Sequence, residues 1–151
     1  MATTATISSP TFGPPVPGVN EKGRLDATLR RLGDLYPALQ AGQADVAPQT
    51  LLSELRVDLE LHFALEEANA YFGVVLRERP SLSHGISKLR HEHATLLEKV
   101  ERMRALAPDR ARWSELATLT SELVDAFRAH EREEADLLQE FFLRDDGVGA
   151  D

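Results

Sequence analysis

The chain has 151 residues, enough for one domain with a real core, and carries a formal net charge of -8 at pH 7. That acidic surplus, with no basic run anywhere, argues against nucleic acid and anionic membrane surfaces as partners. There is no cysteine, which excludes disulfides, thiolate catalysis, iron-sulfur clusters and thiolate zinc sites, so any metal must sit on nitrogen and oxygen.

Residues 1–20 combine Thr, Ser and Gly with Pro10, Pro14, Pro15 and Pro17. Such a stretch buries too little apolar surface to offset its ordering entropy and reads as a tail, either without a role or docking a partner. It has neither the basic nor the apolar region of a signal peptide, and no later segment approaches the roughly 18 successive apolar residues of a membrane span. The expected location is the cytoplasm.

Four apolar-periodic segments follow. The first spans about Glu21 to Gln40, with Leu25, Leu29, Leu32, Tyr36 and Leu39 on one side; Gly42 then serves as a helix stop and Pro48 as a first-turn residue. The second runs to about Arg79, halted by Pro80, and its stripe passes from Leu52, Leu55 and Leu59 into His62, Leu65 and Glu66, then Phe72 and Leu76. The third begins after Ser81 or Ser83 as N-cap and lasts to about Leu106, with Ile86, Leu89, His93, Leu96, Val100 and Met103 inward. The fourth runs from about Pro108 and Asp109 to about Leu143, with Leu116, Leu123, Phe127, His130, Glu134, Leu137 and Phe141 on alternating three-and-four spacing. Residues 144–151 read as a second flexible end. No segment alternates with period two, and short connections favour antiparallel neighbours, so the expected fold is an all-α up-down-up-down four-helix bundle over 21–143.

His62 and Glu66 share a helix face, as do His130 and Glu134. Taken alone, each pair reads as a solvated contact one turn apart, and an inward histidine as a satisfied core residue. Together, three imidazoles and two carboxylates enter one interior, and no Lys or Arg lies on these stripes. An uncompensated buried carboxylate is costly, and a metal takes both donor types, so the anions call for a cation. The competing reading is a wet polar seam with partly protonated carboxylates. His84, at the start of the third helix, and His91, about 200° round from His93, belong to the surface. HExxH, the ExxH of ferritin-like bundles, a nucleophile motif and a phosphate loop are all absent, so no catalytic residue is assigned.

HFALE at 62–66, EHATLL at 92–97 and HEREE at 130–134, in that order, resemble the hemerythrin-like, HHE cation-binding family over about residues 21–143. The resemblance implies an antiparallel bundle around two non-haem iron ions bridged by oxide or hydroxide. Its implied ligands are His62, Glu66, His93, His130 and Glu134, with the two glutamates as bridges. The family's first-helix histidine is missing: where H-x-x-L-x-x-L is expected, the chain runs from Asp26 to Leu32. An antiparallel register centred near residue 44 puts Asp26 level with His62. Asp26 is then the sixth ligand, with Glu21 as fallback; alternatively Asp26 is a surface residue and the site is incomplete.

Leu97 and Ala135 stand where oxygen-carrying hemerythrins place further ligands. The harder, more anionic donor set favours ferric iron and disfavours reversible oxygen carriage. The implied function is binding, sensing or detoxifying dioxygen, nitric oxide or peroxide, or handling iron itself. A ferroxidase or peroxide-consuming enzyme and a metal-free bundle acting as an interaction module stay open, as does pairing into a homodimer.

Overall fold

A computed structural model describes residues 20–43, 45, 47–68 and 71–145. Of the tails expected over 1–20 and 144–151, Asn20, Arg144 and Asp145 belong to helices; the rest lies outside the described residues, as does the side chain of Glu21. The helices are α1 (Asn20–Asp34), α2 (Tyr36–Gln40), α3 (Pro48–Glu67), α4 (Phe72–Glu78), α5 (Ser83–Leu106) and α6 (Trp113–Asp145). Tight single turns at Pro80–Leu82 and Arg110–Arg112 lead into α5 and α6. There is no strand among the described residues.

The long helices α1, α3, α5 and α6 pack as a closed ring in that order. Neighbours run antiparallel: Thr28 bonds Asp58 while Arg31 pairs with Glu54, and Lys88 pairs with Glu133 while Lys99 pairs with Glu122. This is the bundle read from the periodicity. No helix among the described residues is long and apolar enough to cross a membrane.

Two of the four expected helices are interrupted. The first breaks at Leu35, because Pro37 has no N–H for the Gly33 carbonyl and its ring crowds that group; α2 starts afresh around it. Gly42, at φ 64, then ends α2, and Pro48 opens α3. The second breaks after Glu67, where Ala68 turns extended at ψ 155 and α4 restarts at Phe72. Neither Ser81 nor Ser83 caps α5. Its N-cap is Leu82 without a side-chain bond, because the turn from Pro80 already leads the backbone into the helix. Asp109 caps the turn before α6 by accepting from the Ala111 N–H at 3.1 Å.

Among the described residues, buried apolar side chains form two clusters. One holds Leu25, Leu52, Leu59, Leu96, Val100, Leu116 and Leu123, and the other Phe72, Val75, Ile86, Leu89 and Phe141. Each fully buried leucine contributes about 1.5–3 kcal/mol relative to solvent exposure, which lets the interior tolerate a costly polar layer. On α5 that layer is His93, flanked by Leu89 of one cluster and Leu96 of the other.

Candidate metal centre

The polar layer is built from α3, α5 and α6. Glu66 is 3% exposed, His93 2% and His130 2%, and each places one ligand atom within 4.8 Å of the other two. Glu66 lies between two imidazoles: its Oε1 is 2.5 Å from Nε2 of His62, and its Oε2 is 2.9 Å from Nε2 of His93. These approaches lack hydrogen-bond geometry. Both Glu66 oxygens, Nε2 of His93 and Nε2 of His130 are buried without a hydrogen-bond partner, while Nδ1 of His93 faces Glu67 at 3.4 Å, away from the centre. Each such atom costs about 1–3 kcal/mol, so a group of them turned on one another fits a cation. Imidazole nitrogen and carboxylate oxygen are the donors that zinc, iron and manganese accept.

The surrounding side chains hold these donors in place. The rings of Phe63 and Phe72 lie nearly parallel to His93, at 3.9 Å and 9° and at 5.9 Å and 14°, and fix its plane. Nδ1 of His130 is hydrogen-bonded to Oε1 of Glu92 at 2.9 Å, which leaves Nε2 as the nitrogen facing the centre. Glu134 has Oε2 at 3.7 Å from His130 Nε2, while its Oε1 accepts from the Tyr71 hydroxyl at 2.8 Å. The structure therefore brings together all five residues of the expected HHE set. It adds Phe63, Glu92 and Tyr71, which helical spacing alone does not single out.

A cavity of about 230 Å³ opens onto the centre and is lined by Lys22, His62, Glu66, Tyr71, Glu131 and Glu134, among others. Asp26 is not among them. It lines a separate cavity with Arg30, Phe127 and Arg128. The register of α1 on α3 accounts for this: with Thr28 on Asp58 and Arg31 on Glu54, the level of His62 falls two to three residues before Asp26, and Lys22 is the α1 residue that lines the mouth. Lys22 pairs with Glu131 at 3.4 Å in that mouth. His84 and His91 are exposed, as expected.

The family model of the hemerythrin HHE cation-binding domain matches residues 23–142. The chain belongs to that family. No curated protein and no solved structure matches it.

Without a cation, the hemerythrin centre is a set of mutually frustrated charges. Burial, then the neighbouring Glu66 charge, pushes the Glu134 carboxyl up to about 7. Burial also opposes ionisation of Glu66, but the His62 and His93 imidazoles against its oxygens outweigh it and hold this carboxyl down at about 2. His130 is held down at about 4, by burial first and then by the charge of His93. Burial works against the charge on His62 too, yet Glu66 prevails and raises it. On the far side of His130, Glu92 is pushed up to about 7 by burial and by Glu133. Metal ligands of these kinds act deprotonated, so cation binding at this hemerythrin centre would release protons.

Proposed function

We propose that this hemerythrin domain is a non-haem iron protein that holds two iron ions on His62, Glu66, His93, His130 and Glu134. Its role is to bind, sense or detoxify a small molecule such as dioxygen, nitric oxide or peroxide. The observation that carries the reading is Glu66, buried between His62 and His93 with neither oxygen hydrogen-bonded. A carboxylate that offers one oxygen to each of two imidazoles suits a pair of ions better than a single one.

Bound iron would supply a change of oxidation state and open coordination positions. The chain supplies the rest: Glu92 fixes the tautomer of His130, Phe63 and Phe72 fix the ring of His93, and the leucine layers exclude water from the inner side. The cavity beside Tyr71 and Lys22 admits a small molecule. Asp26, which faces another cavity, is left out of the ligand set.

Metal counting tests this directly. Protein loaded anaerobically with ferrous iron should carry about two irons per chain and develop ferric absorption on oxidation, both lost in His62→Ala and His130→Ala. Folded protein that holds no metal after such loading would overturn the proposal. The same cavity would serve a ferroxidase or peroxide-consuming reaction. Turnover of ferrous iron or peroxide beyond one equivalent per centre separates that reading from binding alone.

A further inference from the structure

The break between α3 and α4 brings a tyrosine to the centre. On an uninterrupted helix Tyr71 would point about 140° away from Glu66, on the side of the exposed Glu67. Instead Ala68 turns extended, the Tyr71 N–H donates to the Ala68 carbonyl at 3.0 Å, and the Tyr71 carbonyl accepts from Val74 and Val75 at 3.1 and 3.2 Å. The residue is thus tied at both its backbone groups, and its ring leans on Phe72 at 5.3 Å. The phenol lines the cavity onto the centre and donates to Oε1 of Glu134 at 2.8 Å.

We propose that Tyr71 is a positioning residue of the centre: its hydroxyl takes up a lone pair of one oxygen of Glu134, which weakens that oxygen as a ligand and favours the other, which faces His130, for a cation. The two glutamates are thereby unequal. Glu66 presents both oxygens free of hydrogen bonds, one toward His62 and one toward His93, whereas Glu134 has one oxygen engaged by Tyr71. The bridging role that the family resemblance implies for both glutamates then falls to Glu66. This inference rests on the proposed function, since it requires a cation between these residues.

Infrared difference spectra of zinc-loaded minus metal-free protein test it, zinc being free of redox chemistry. The Glu134 carboxylate bands are those lost in Glu134→Gln. In the wild type their antisymmetric and symmetric stretches should be widely separated, as for one-oxygen ligation, and in Tyr71→Phe the separation should narrow. Zinc affinity should fall about tenfold in Tyr71→Phe, within the range for residues that orient a metal ligand. A structural role of the ring alone would leave the band separation unchanged.

A narrow separation in the wild type, or the same wide separation in Tyr71→Phe, would overturn the role of Tyr71. The wild-type spectrum decides even if the variant does not fold. A wild type that takes up no zinc and no ferrous iron overturns the proposed function as well, so the two failures are distinguishable.

Discussion

Glu92 on α5 and His130 on α6 are joined by a 2.9 Å hydrogen bond that selects which imidazole nitrogen faces the centre. Without it, the ring could present either nitrogen or rotate off the cluster. Orienting carboxylates of this kind are worth about 10–100-fold in metal affinity. Glu92→Ala should weaken cation binding by that factor in a chelator competition titration. Glu92→Gln, whose amide oxygen still accepts from Nδ1, should keep most of it. Equal affinities for wild type and Glu92→Ala would show that the ring is held by packing alone.

Binding should also be visible in stability, because Glu66, His93 and His130 keep unpartnered buried atoms when no cation satisfies them. A ligand present at a hundred times its Kd adds about 2.7 kcal/mol to the folded state. For a chain of this size that corresponds to roughly 5–10 °C in Tm. Zinc or ferrous iron added to chelated protein should give a rise of this order, abolished in His93→Ala. A melting curve that ignores the cation would count against the burial argument.

What the one-dimensional pattern could and could not reveal follows from the physics of each residue. Ile86, Leu89, His93, Leu96, Val100 and Met103 are all buried as their spacing predicts, because a long helix packed on one side must place that stripe inward. His62, Glu66, His130 and Glu134 reach the centre for the same reason. Glu92 was hidden although it directly precedes His93, since nothing along α5 shows that its side chain reaches His130 across the helix interface. Tyr71 was hidden because its position depends on a break with no proline or glycine to announce it. Asp26 lies two to three residues past the level of His62, because helix register depends on side-chain fit across α1 and α3, and the length of the connection sets it only approximately.

The metal-free protein should show the Glu134 carboxyl in its pH dependence. Its folded value of about 7, set by burial and then by Glu66, lies above the ordinary value of about 4.3 in the unfolded chain. Between those values the folded state binds the extra proton, so the stability this group contributes is complete below pH ~4.5 and lost as pH rises to about 7. Glu134→Gln removes that term. Relative to wild type, the variant should gain on the order of 2 kcal/mol on going from pH ~4.5 to ~8, read by urea denaturation of chelated protein. His130, held down at about 4, slopes the other way, with stability lost as pH falls below about 6.5, but it is present in both proteins and cancels in the comparison to first order. A difference that does not change with pH would refute the assignment.

Lys22 offers the most direct test of the register. It lines the same cavity as His62, and its ammonium, paired with Glu131 at 3.4 Å, places a positive charge in the mouth of a site built to receive another. Lys22→His removes the fixed charge and supplies an imidazole there, so cation affinity should rise about tenfold or more. Lys22→Gln, which removes only the charge, should give part of the gain. The Lys22 side chain is 51% exposed, and surface pairs contribute only about 0–1 kcal/mol, so both variants should fold. Asp26→His puts the same imidazole on the next turn, against Arg30 and Arg128 rather than against Glu66, and should leave affinity unchanged. A gain in Asp26→His without one in Lys22→His would restore Asp26 as the residue nearest the metal and shift α1 by a full turn.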